Sequence, residues 1–519
     1  LGDVYKRQIA NYISQRRSLM FTFKQITETN GIDINNLKNS RQNSYAWSMA
    51  ELGNYIYVGT SRNMISSLTT AFTESPNLAP SLVTGSDNNA EIWRYKKDGS
   101  CPWEKVFKAS SKDKIYGFRA MITHKSNNSC AIYAASMGEK VYVFKSTDGV
   151  HWKKINTSNV SGTSSRAFAS FNGKLYMATL EEGIGGNVPY LYSSKDPEFE
   201  LFKLVINPKS KGFIPNNNPI GGIDDLSVFN NRLYLSIGNS DGAEVWRSNN
   251  CNPKNNDWTL VAYKGFGDAL NTNIMSTGVF KDHLYVAVTK RFPLSLFVPL
   301  SFDLIRIDKN DCWEIVVGGK PIIPSCPSTG VRNKSLSGFN SGFNNFFNVY
   351  GWQIKEFKGN LVITTYDSST NIRTFITGFE YNKEDYIKNF GYENYNRLLN
   401  SYKKIYKLLC KYNYPKGFDI YTSKDGLNFS PVILDGLNDP NNYGGRTLLV
   451  SSQNKLYVGT ANPFLGLEVW EADYNNSNKY CSNNEIHEYF SNLKKLNKEL
   501  LALYPELMDV LQRTFPAFQ

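Results

Sequence analysis

The sequence has no stretch that is long and apolar enough to cross a membrane as a helix. Its longest apolar run, near residues 293–302, is too short and too interrupted to span a bilayer. The seven cysteines are scattered and none belongs to a Cys-x-x-Cys pair: Cys101, Cys130, Cys251, Cys312, Cys326, Cys410 and Cys481. This usage indicates neither a disulfide framework nor a zinc site. We therefore expect no transmembrane segment and no bound metal.

Catalytic motifs are also missing. The four histidines show no His-x-x-x-His spacing: His124, His151, His283 and His487. The chain has no Gly-x-Ser-x-Gly elbow and no glycine-rich loop that would hold a phosphate. We expect no cofactor, and the sequence favours a protein that is not an enzyme without deciding the question.

The net charge of +12 has no local concentration. Lysines are spread along the chain beside asparagines, and no run of bases alternates with aromatic residues on one strand face. We therefore expect no nucleic-acid partner. A hydrophobic content of 41% and an aromatic content of 14% suit a large β-protein with a substantial core.

For the oligomeric state of the protein, we expect a monomer.

What the chain does have is a short phrase that returns seven times. It reads apolar-Tyr-apolar, then a turn, then an acidic or apolar residue, an aromatic and a base. The Tyr position is occupied by Tyr57, Tyr133, Tyr176, Tyr234, Tyr285, Val362 and Tyr457. Two further β-rich segments accompany most copies, giving four short strands per unit. Such units cannot bury their apolar faces alone, so the pattern predicts an all-β, seven-bladed β-propeller.

The seventh unit lacks a fourth strand after Trp470, and residues 21–26 match the outer-strand pattern. We therefore expect the N-terminal segment to complete the last blade and close the ring, which removes free sheet edges. The alternative is that residues 9–40 form an unrelated extension.

The expected division of the chain has four parts. Residues 1–8 resemble a translated sequencing adaptor and are interpreted as an artefact. Residues 9–42 would supply the closing strand, residues 43–474 the propeller, and residues 475–519 a helical extension. If Met20 is the true start, we expect a cytoplasmic protein; if an upstream signal peptide is missing, we expect a secreted one.

Helical periodicity interrupts the repeat twice. Residues 380–413 fall between the second and third strands of blade six, so they should form a helical excursion on one face. Residues 484–511 carry an apolar residue every three or four positions and predict a second helix. Pro505 is expected to kink or restart the second helix. We expect both segments to pack on the outside of the propeller; the alternative is that they dock a partner.

Two turns follow the pattern Ser-x-Asp-Gly-x-x-aromatic, at residues 146–152 and 423–429. They resemble the Asp-box turns of sialidases and of many propellers without enzymatic activity, and the chain as a whole resembles an uncharacterised group of bacterial propellers. The resemblance implies a fold and no activity. In such a turn the Asp caps the hairpin, the Gly takes a positive φ and the aromatic packs between blades.

Aligning the repeats on the Tyr phrase places one residue of each innermost strand at the axial mouth. These positions are Trp47, Arg119, Arg166, Asp224 with Asp225 beside it, Met275, Trp352 and Arg446 or Thr447. Guanidinium groups are the usual partners of carboxylates and phosphates, and tryptophan faces suit sugars. We therefore predict a ligand site formed by Trp47, Arg119, Arg166, Asp224, Asp225, Trp352 and Arg446. The alternative for the arginines is pairing with the two aspartates.

The loops that lead into three innermost strands share Gly-(Phe/Leu)-(Gly/Asn)-(Asp/Asn)-x-x-Asn. They begin at Gly265, Gly342 and Gly436, and Asn43 occupies the place of the final Asn before Trp47. Turn chemistry explains these residue types without a ligand, and we favour that interpretation.

Three functions remain open. The first is a non-catalytic binding or scaffold propeller whose ligand is an anionic glycan or another acidic small molecule. The second is a sialidase-like hydrolase or lyase, although the chain lacks an Arg-Ile-Pro start and a recognisable Tyr-Glu pair. The third is a platform that docks a protein partner through its helices.

Overall fold

The computed structural model describes residues 20–64, 87–126, 129–181, 188–206, 219, 221–292, 294–327, 329–475 and 483–515. Residues 1–8, interpreted above as an artefact, lie outside the described residues, as does Cys481. No helix in the described ranges is long and apolar enough to cross a membrane.

The described residues form antiparallel four-stranded blades of a β-propeller. The first strand of the chain is β1 (Met20–Gln25). Blade 1 contains β2 (Asn43–Leu52), β3 (Tyr55–Arg62), β4 (Glu91–Lys96) and β5 (Glu104–Lys108). Blade 2 contains β6 (Ile115–Lys125), β7 (Cys130–Gly138), β8 (Val143–Ser146) and β9 (Lys153–Lys154). Blade 3 contains β10 (Ser164–Phe171), β11 (Lys174–Leu180), β12 (Tyr190–Ser194) and β13 (Lys203–Leu204).

The remaining blades repeat the arrangement. Blade 4 contains β14 (Gly222–Phe229), β15 (Arg232–Gly238), β16 (Glu244–Ser248) and β17 (Trp258–Ala262). Blade 5 contains β18 (Asn271–Phe280), β19 (His283–Lys290), β20 (Asp303–Asp308) and β21 (Trp313–Val317). Blade 6 contains β22 (Asn348–Phe357), β23 (Asn360–Asp367), β24 (Ile420–Ser423) and β25 (Ser430–Ile433). Blade 7 contains β26 (Gly444–Val450), β27 (Leu456–Ala461) and β28 (Val469–Asn475).

The first strands of successive blades surround a common axis. Each contacts the first strand of the next blade, from β2 through β6, β10, β14, β18, β22 and β26 and back to β2. The all-β propeller class expected from the repeated phrase is therefore confirmed.

The N-terminal strand closes this ring. β1 pairs antiparallel with β28, so that Gln25 faces Trp470 and Phe21 faces Tyr474. The Phe21 ring also lies 6.0 Å from that of Phe357 in blade 6. The pairing of residues 21–26 with the strand that contains Trp470 is confirmed.

The repeated tyrosine links one blade to the next. Tyr57 is 1% exposed, and a Cβ added at Gly149 in blade 2 would overlap its hydroxyl group. The Tyr285 hydroxyl donates to the carbonyl of Gly426 in blade 6 at 3.2 Å. An aromatic side chain buries about 150–250 Å², so the tyrosines at this position stabilise the stack of blades; blade 6 has Val362 there instead.

Both turns that resemble Asp-boxes are built alike. Asp148 Oδ1 accepts from the backbone N–H groups of Val150 and His151, and Asp425 accepts from the equivalent groups in blade 6. Gly149 has a φ of 75°. Their assignment to the Asp-box class stays a prediction.

Six helices lie in the described ranges. They are α1 (Leu37–Gln42), α2 (Leu294–Phe297), α3 (Thr370–Tyr381), α4 (Lys383–Phe390), α5 (Tyr392–Lys411) and α6 (Asn483–Thr514). Single 3-10 turns occur at Ser111–Asp113, Lys264–Gly267 and Ser341–Asn344. The helical segment between β23 and β24 begins ten residues earlier than the sequence indicated, and α6 continues through Pro505 instead of restarting there.

The helical insertion after β23 and the helix α6 lie on the face where the innermost strands begin, in agreement with the helical excursion on one face that the sequence predicts for the insertion. Antiparallel pairing places Asp367, the end of β23, opposite Asn348, the start of β22. A segment inserted after β23 must therefore emerge beside the loop that leads into β22. Accordingly, Asn497 of α6 donates to the Asn344 carbonyl in that loop at 2.7 Å, and the Phe347 and Tyr414 rings lie 5.2 Å apart.

Asparagines at the start of four innermost strands hold the loops that precede them. In each case Nδ2 donates to the carbonyl of a loop glycine and to the carboxylate of an acidic residue. This acidic residue is either the first residue of the third strand or the residue just before that strand. We call these contacts the Asn bridges. They join Asn43 to Gly31 and Glu91, Asn271 to Gly265 and Asp303, Asn348 to Gly342 and Asp419, and Asn442 to Gly436 and Glu468.

The Asn bridges support the turn-chemistry interpretation of the loop motif. The residue after each loop glycine has a positive φ, including Phe266 at 56° and Leu437 at 64°, and is buried. A bulky residue in this region is strained by about 1–3 kcal/mol, so the conformation needs the bridge and the burial. Gly31 and Ile32 form the same loop structure in blade 1. Sequence alignment did not identify it, because the helix α1 lies between these residues and Asn43.

We expect that deleting residues 1–27 lowers the thermal midpoint by many degrees, because it exposes the edge of β28 and removes Ile26 from the core. Deleting residues 1–19 leaves β1 intact and is the control. Equal midpoints for the two deletions would show that β1 does not close the ring.

We expect Asn442→Ala to lower the free energy of unfolding by about 1–3 kcal/mol, because it removes one donor from the Gly436 carbonyl and one from the buried Glu468. The carbonyl then keeps the weaker backbone contact of the loop, and Glu468 keeps the Trp470 Nε1 bond. Asn35→Ala, at an exposed position, should change the stability by less than about 0.5 kcal/mol. Urea denaturation measures both, and equal values would exclude a stabilising role for the bridge.

Candidate functional site

Each innermost strand carries a β-bulge at the position that repeat alignment placed at the mouth. The strand register skips one residue in each case, and we call these seven residues the axial ring: Trp47, Arg119, Arg166, Asp224, Met275, Trp352 and Arg446. A bulged residue leaves the ladder and its side chain is redirected. Sequence alignment left Arg446 or Thr447 as the position in blade 7. The bulge is at Arg446, whereas Thr447 pairs with Gly459 in the strand ladder.

Two of the arginines lie on tryptophans of the preceding blade. The Arg119 guanidinium carbon is 5.2 Å from the centre of the Trp47 ring, and that of Arg446 is 5.4 Å from the centre of the Trp352 ring. Contacts of this kind contribute about 0.5–2 kcal/mol each. They also fix where the guanidinium groups sit relative to the axis.

A glycine makes room for each tryptophan. A Cβ added at Gly117 would lie 2.2 Å from the Trp47 ring, and one at Gly444 would lie 2.0 Å from the Trp352 ring. Each glycine precedes its ring arginine by two residues. The Gly-x-Arg pattern is present in the sequence, but its meaning could not be inferred there, because each glycine makes room for a tryptophan of the preceding blade.

The third arginine pairs with an acid. Arg166 Nη1 lies 3.4 Å from Asp224 Oδ1, and 19% of the Arg166 side chain is exposed. Asp225 is oriented away from this pair: Oδ2 accepts from the backbone N–H and the hydroxyl of Thr277 in blade 5. The Arg166–Asp224 ion pair agrees with the alternative of arginine–aspartate pairing, and the charges of Asp224 and Asp225 also act on Arg119 and Arg446, respectively.

The ring arginines are close enough to influence one another. Burial lowers the pKa of Arg119, and repulsion from Arg166 and Arg446 lowers it further. Burial likewise lowers the pKa of Arg446 to about 10, with a further contribution from Arg166. Burial raises the pKa of Asp224, against the opposing effect of Arg166. Three cationic groups and one acid are thus gathered where water is scarce.

Aromatic side chains separate the ring from the helices. Tyr45, Tyr350, Tyr366 and Tyr443 form one buried cluster with Trp47 and Trp352. Burial raises the pKa of Tyr45 and of Tyr350, so their hydroxyl groups stay neutral. The two tryptophans are 6% and 8% exposed, so the structure places their faces against neighbouring side chains. The repeated Tyr-x-Trp pattern at 45–47 and 350–352 signals this cluster in the sequence.

Within the described residues, no three His, Cys, Asp or Glu side chains come together in a group that could hold a metal ion. His124 Nδ1 lies 2.9 Å from Ser170 Oγ, and His151 Nδ1 lies 2.7 Å from Asp148 Oδ2. Neither histidine belongs to the axial ring.

No family model and no curated protein matches the chain. Solved structures similar to it include an ancestral GH74 enzyme (TM-score 0.45, 11% identity, 82% of this chain and 47% of that chain). Others are the WD40 β-propeller domain of Doa1 (TM-score 0.41, 9% identity, 89% and 98%) and the phage phi92 endosialidase (TM-score 0.37, 10% identity, 67% and 64%). The chain spans about half the length of the first of these. These similarities concern the fold and carry no argument about function.

Proposed function

We propose that this propeller is a non-catalytic binding protein whose axial ring takes an anionic ligand, either an acidic glycan or another small molecule with a carboxylate or phosphate group. The observation that supports the proposal is the convergence of Arg119, Arg166 and Arg446 from three blades. Their mutual repulsion lowers the pKa of Arg119 beyond the effect of burial.

The electrostatics favour an anion. Bringing guanidinium groups together in a partly buried place costs free energy through lost hydration and mutual repulsion. A carboxylate or phosphate offsets both costs, and a guanidinium can hold it with two parallel hydrogen bonds. Because Arg119 and Arg446 are fixed on tryptophan rings, little side-chain entropy is lost on binding.

A sialidase-like hydrolase is the second candidate, and the ring chemistry is less favourable to it. Glycoside hydrolysis generally requires two carboxyl groups that flank the scissile bond. Among the described residues, the axial ring contains one carboxylate, that of Asp224, since Asp225 is bonded to Thr277. Protein docking on the helix-covered face is the third candidate.

The proposal predicts that Arg446→Ala weakens binding of an acidic glycan by about 1.5–3 kcal/mol, the value of a hydrogen bond to a charged group. Arg446→Lys keeps the charge but loses the planar donor pair, so its affinity should be intermediate. Arg513→Ala, on α6 with its side chain 61% exposed, is the control and should leave the affinity unchanged. A glycan array selects the ligand, and calorimetry measures the affinities.

Two further readouts separate the candidates. Affinity for an acidic ligand should fall with added salt, because part of the attraction is Coulombic. A hydrolase would release shortened products on incubation, whereas a binding protein returns the glycan unchanged. Equal affinities of wild type and Arg446→Ala for every acidic glycan that binds would contradict a site at the axial ring.

A further inference from the structure

Three Asn bridges differ in the residue that faces them. The antiparallel register pairs the bridging asparagine with the end of the second strand: Asn43 with Arg62, Asn271 with Lys290, and Asn348 with Asp367. Blades 1 and 5 thus have a base at this position, and blade 6 has an acid.

The base in blade 5 completes a buried network. Lys290 Nζ donates to Asn271 Oδ1 at 2.7 Å and to Asp303 Oδ2 at 3.0 Å. In blade 1, Arg62 Nη1 donates to Asn43 Oδ1 at 2.6 Å. In blade 5, the Lys290 ammonium group therefore lies between Asn271 Oδ1 and the Asp303 carboxylate. In both blades, the asparagine Oδ1 accepts a hydrogen bond from a cationic side chain.

Blade 6 lacks this positive group among the described residues, and it also lacks the neutral donor that replaces it in blade 7. There, Asn462 Nδ2 donates to Asn442 Oδ1 at 3.1 Å. In blade 6, Asn348 is 0% exposed and its Oδ1 has no hydrogen-bond donor among the described residues. Its Nδ2 is bonded to the Asp419 carboxylate at 2.7 Å, so Oδ1 is the atom that would face the missing base.

Two carboxylates are buried at this place. Asp367 and Asp419 are 0% and 1% exposed. Within the described ranges, neither has an ion-pair partner within 4.0 Å. Asp367 accepts hydrogen bonds from neutral donors: the backbone N–H and hydroxyl of Ser369, the backbone N–H of Gly417 and the Tyr414 hydroxyl. Two buried acids without a base are unfavourable when both are ionised, because each opposes the charge of the other.

The same position has opposite electrostatics in the two blades. Burial would raise the pKa of Asp303, yet the cations of Lys290 and Arg332 hold that pKa well below its usual range. In blade 6, no cationic side chain among the described residues takes the place of Lys290, although Asn348 and Asp419 are joined as Asn271 and Asp303 are.

A pocket shares the side chain of Tyr414 with the surroundings of Asp367. Its volume is about 230 Å³, and it lies between the end of α5 and the helix α6, with Tyr414, Glu488 and Tyr489 in its walls. Tyr414 belongs both to the pocket and to the hydrogen bonds of Asp367. A small ion in the pocket would be one side chain away from the carboxylates.

We propose that Asp367, Asp419 and the Oδ1 atom of Asn348 form a binding site for a hard cation, with Ca²⁺ as the best fit, in the place that Lys290 Nζ occupies in blade 5. Two carboxylates and an amide carbonyl are oxygen ligands, which hard cations prefer. A divalent ion balances both charges. Ca²⁺ accepts irregular oxygen ligand sets, whereas Mg²⁺ keeps several waters and demands octahedral geometry.

The test uses the full chain after treatment with a chelator. Calorimetry with CaCl₂ should show one bound ion per chain, and Ca²⁺ should raise the thermal midpoint above that in chelator. Asp367→Lys rebuilds the arrangement of Lys290 and should bind no Ca²⁺, with a midpoint that is the same in Ca²⁺ and in chelator. Asp367→Asn removes one negative charge and should weaken Ca²⁺ binding at least tenfold. This variant provides the test if Asp367→Lys does not fold.

Absence of Ca²⁺ binding to the wild-type chain, with equal thermal midpoints in Ca²⁺ and in chelator, would overturn the proposal. Ca²⁺ binding that is equal in wild type and both variants would overturn it too.

Discussion

One extra residue in each innermost strand determines what the axis of this propeller presents. The bulge recurs at Trp47, Arg119 and Arg166 and in the four other blades, always at the same place in the repeat. Because the bulged residue leaves the hydrogen-bonded ladder, its side chain is freed from the alternation of the strand. The blades supply a rigid frame, and seven variable side chains supply the chemistry. The axial ring can therefore change its charge without changing the fold.

Charges of one sign are gathered at two places in the described part of the chain. The axial ring contains three guanidinium groups and one carboxylate, whereas Asp367 and Asp419 in blade 6 have no cationic side chain within ion-pair distance among the described residues. Natural sequences accept such local conflicts mainly at functional sites. The helices link the two places, since α5 and α6 pack in one cluster with Trp47 and Trp352. A cation in blade 6 would thus stabilise the same helical cover that borders the ring.

Much of the fold was readable because its signals are local and repeated. The tyrosine phrase and turn residues predicted the blades, and the unmatched strand pattern at residues 21–26 predicted the closure. The ring positions followed from alignment alone. Contacts between blades were not readable: Gly117 serves Trp47, and Asp367 matters because strand register places it where Lys290 stands in blade 5. The position of the insertion between the second and third strands of blade 6 predicted a helical excursion on one face, but the contacts that the helices make there, such as that of Asn497 with Asn344, were not readable.

Anion binding by the axial ring is the central claim, and an anomalous diffraction experiment tests it most directly. Crystals soaked in selenate would show a selenium peak wherever the protein holds a tetrahedral dianion. The account predicts a peak within hydrogen-bond distance of at least two of the guanidinium groups of Arg119, Arg166 and Arg446, and its loss in Arg446→Ala crystals. Peaks only elsewhere on the molecule, with the three arginines held by protein groups alone, would contradict it.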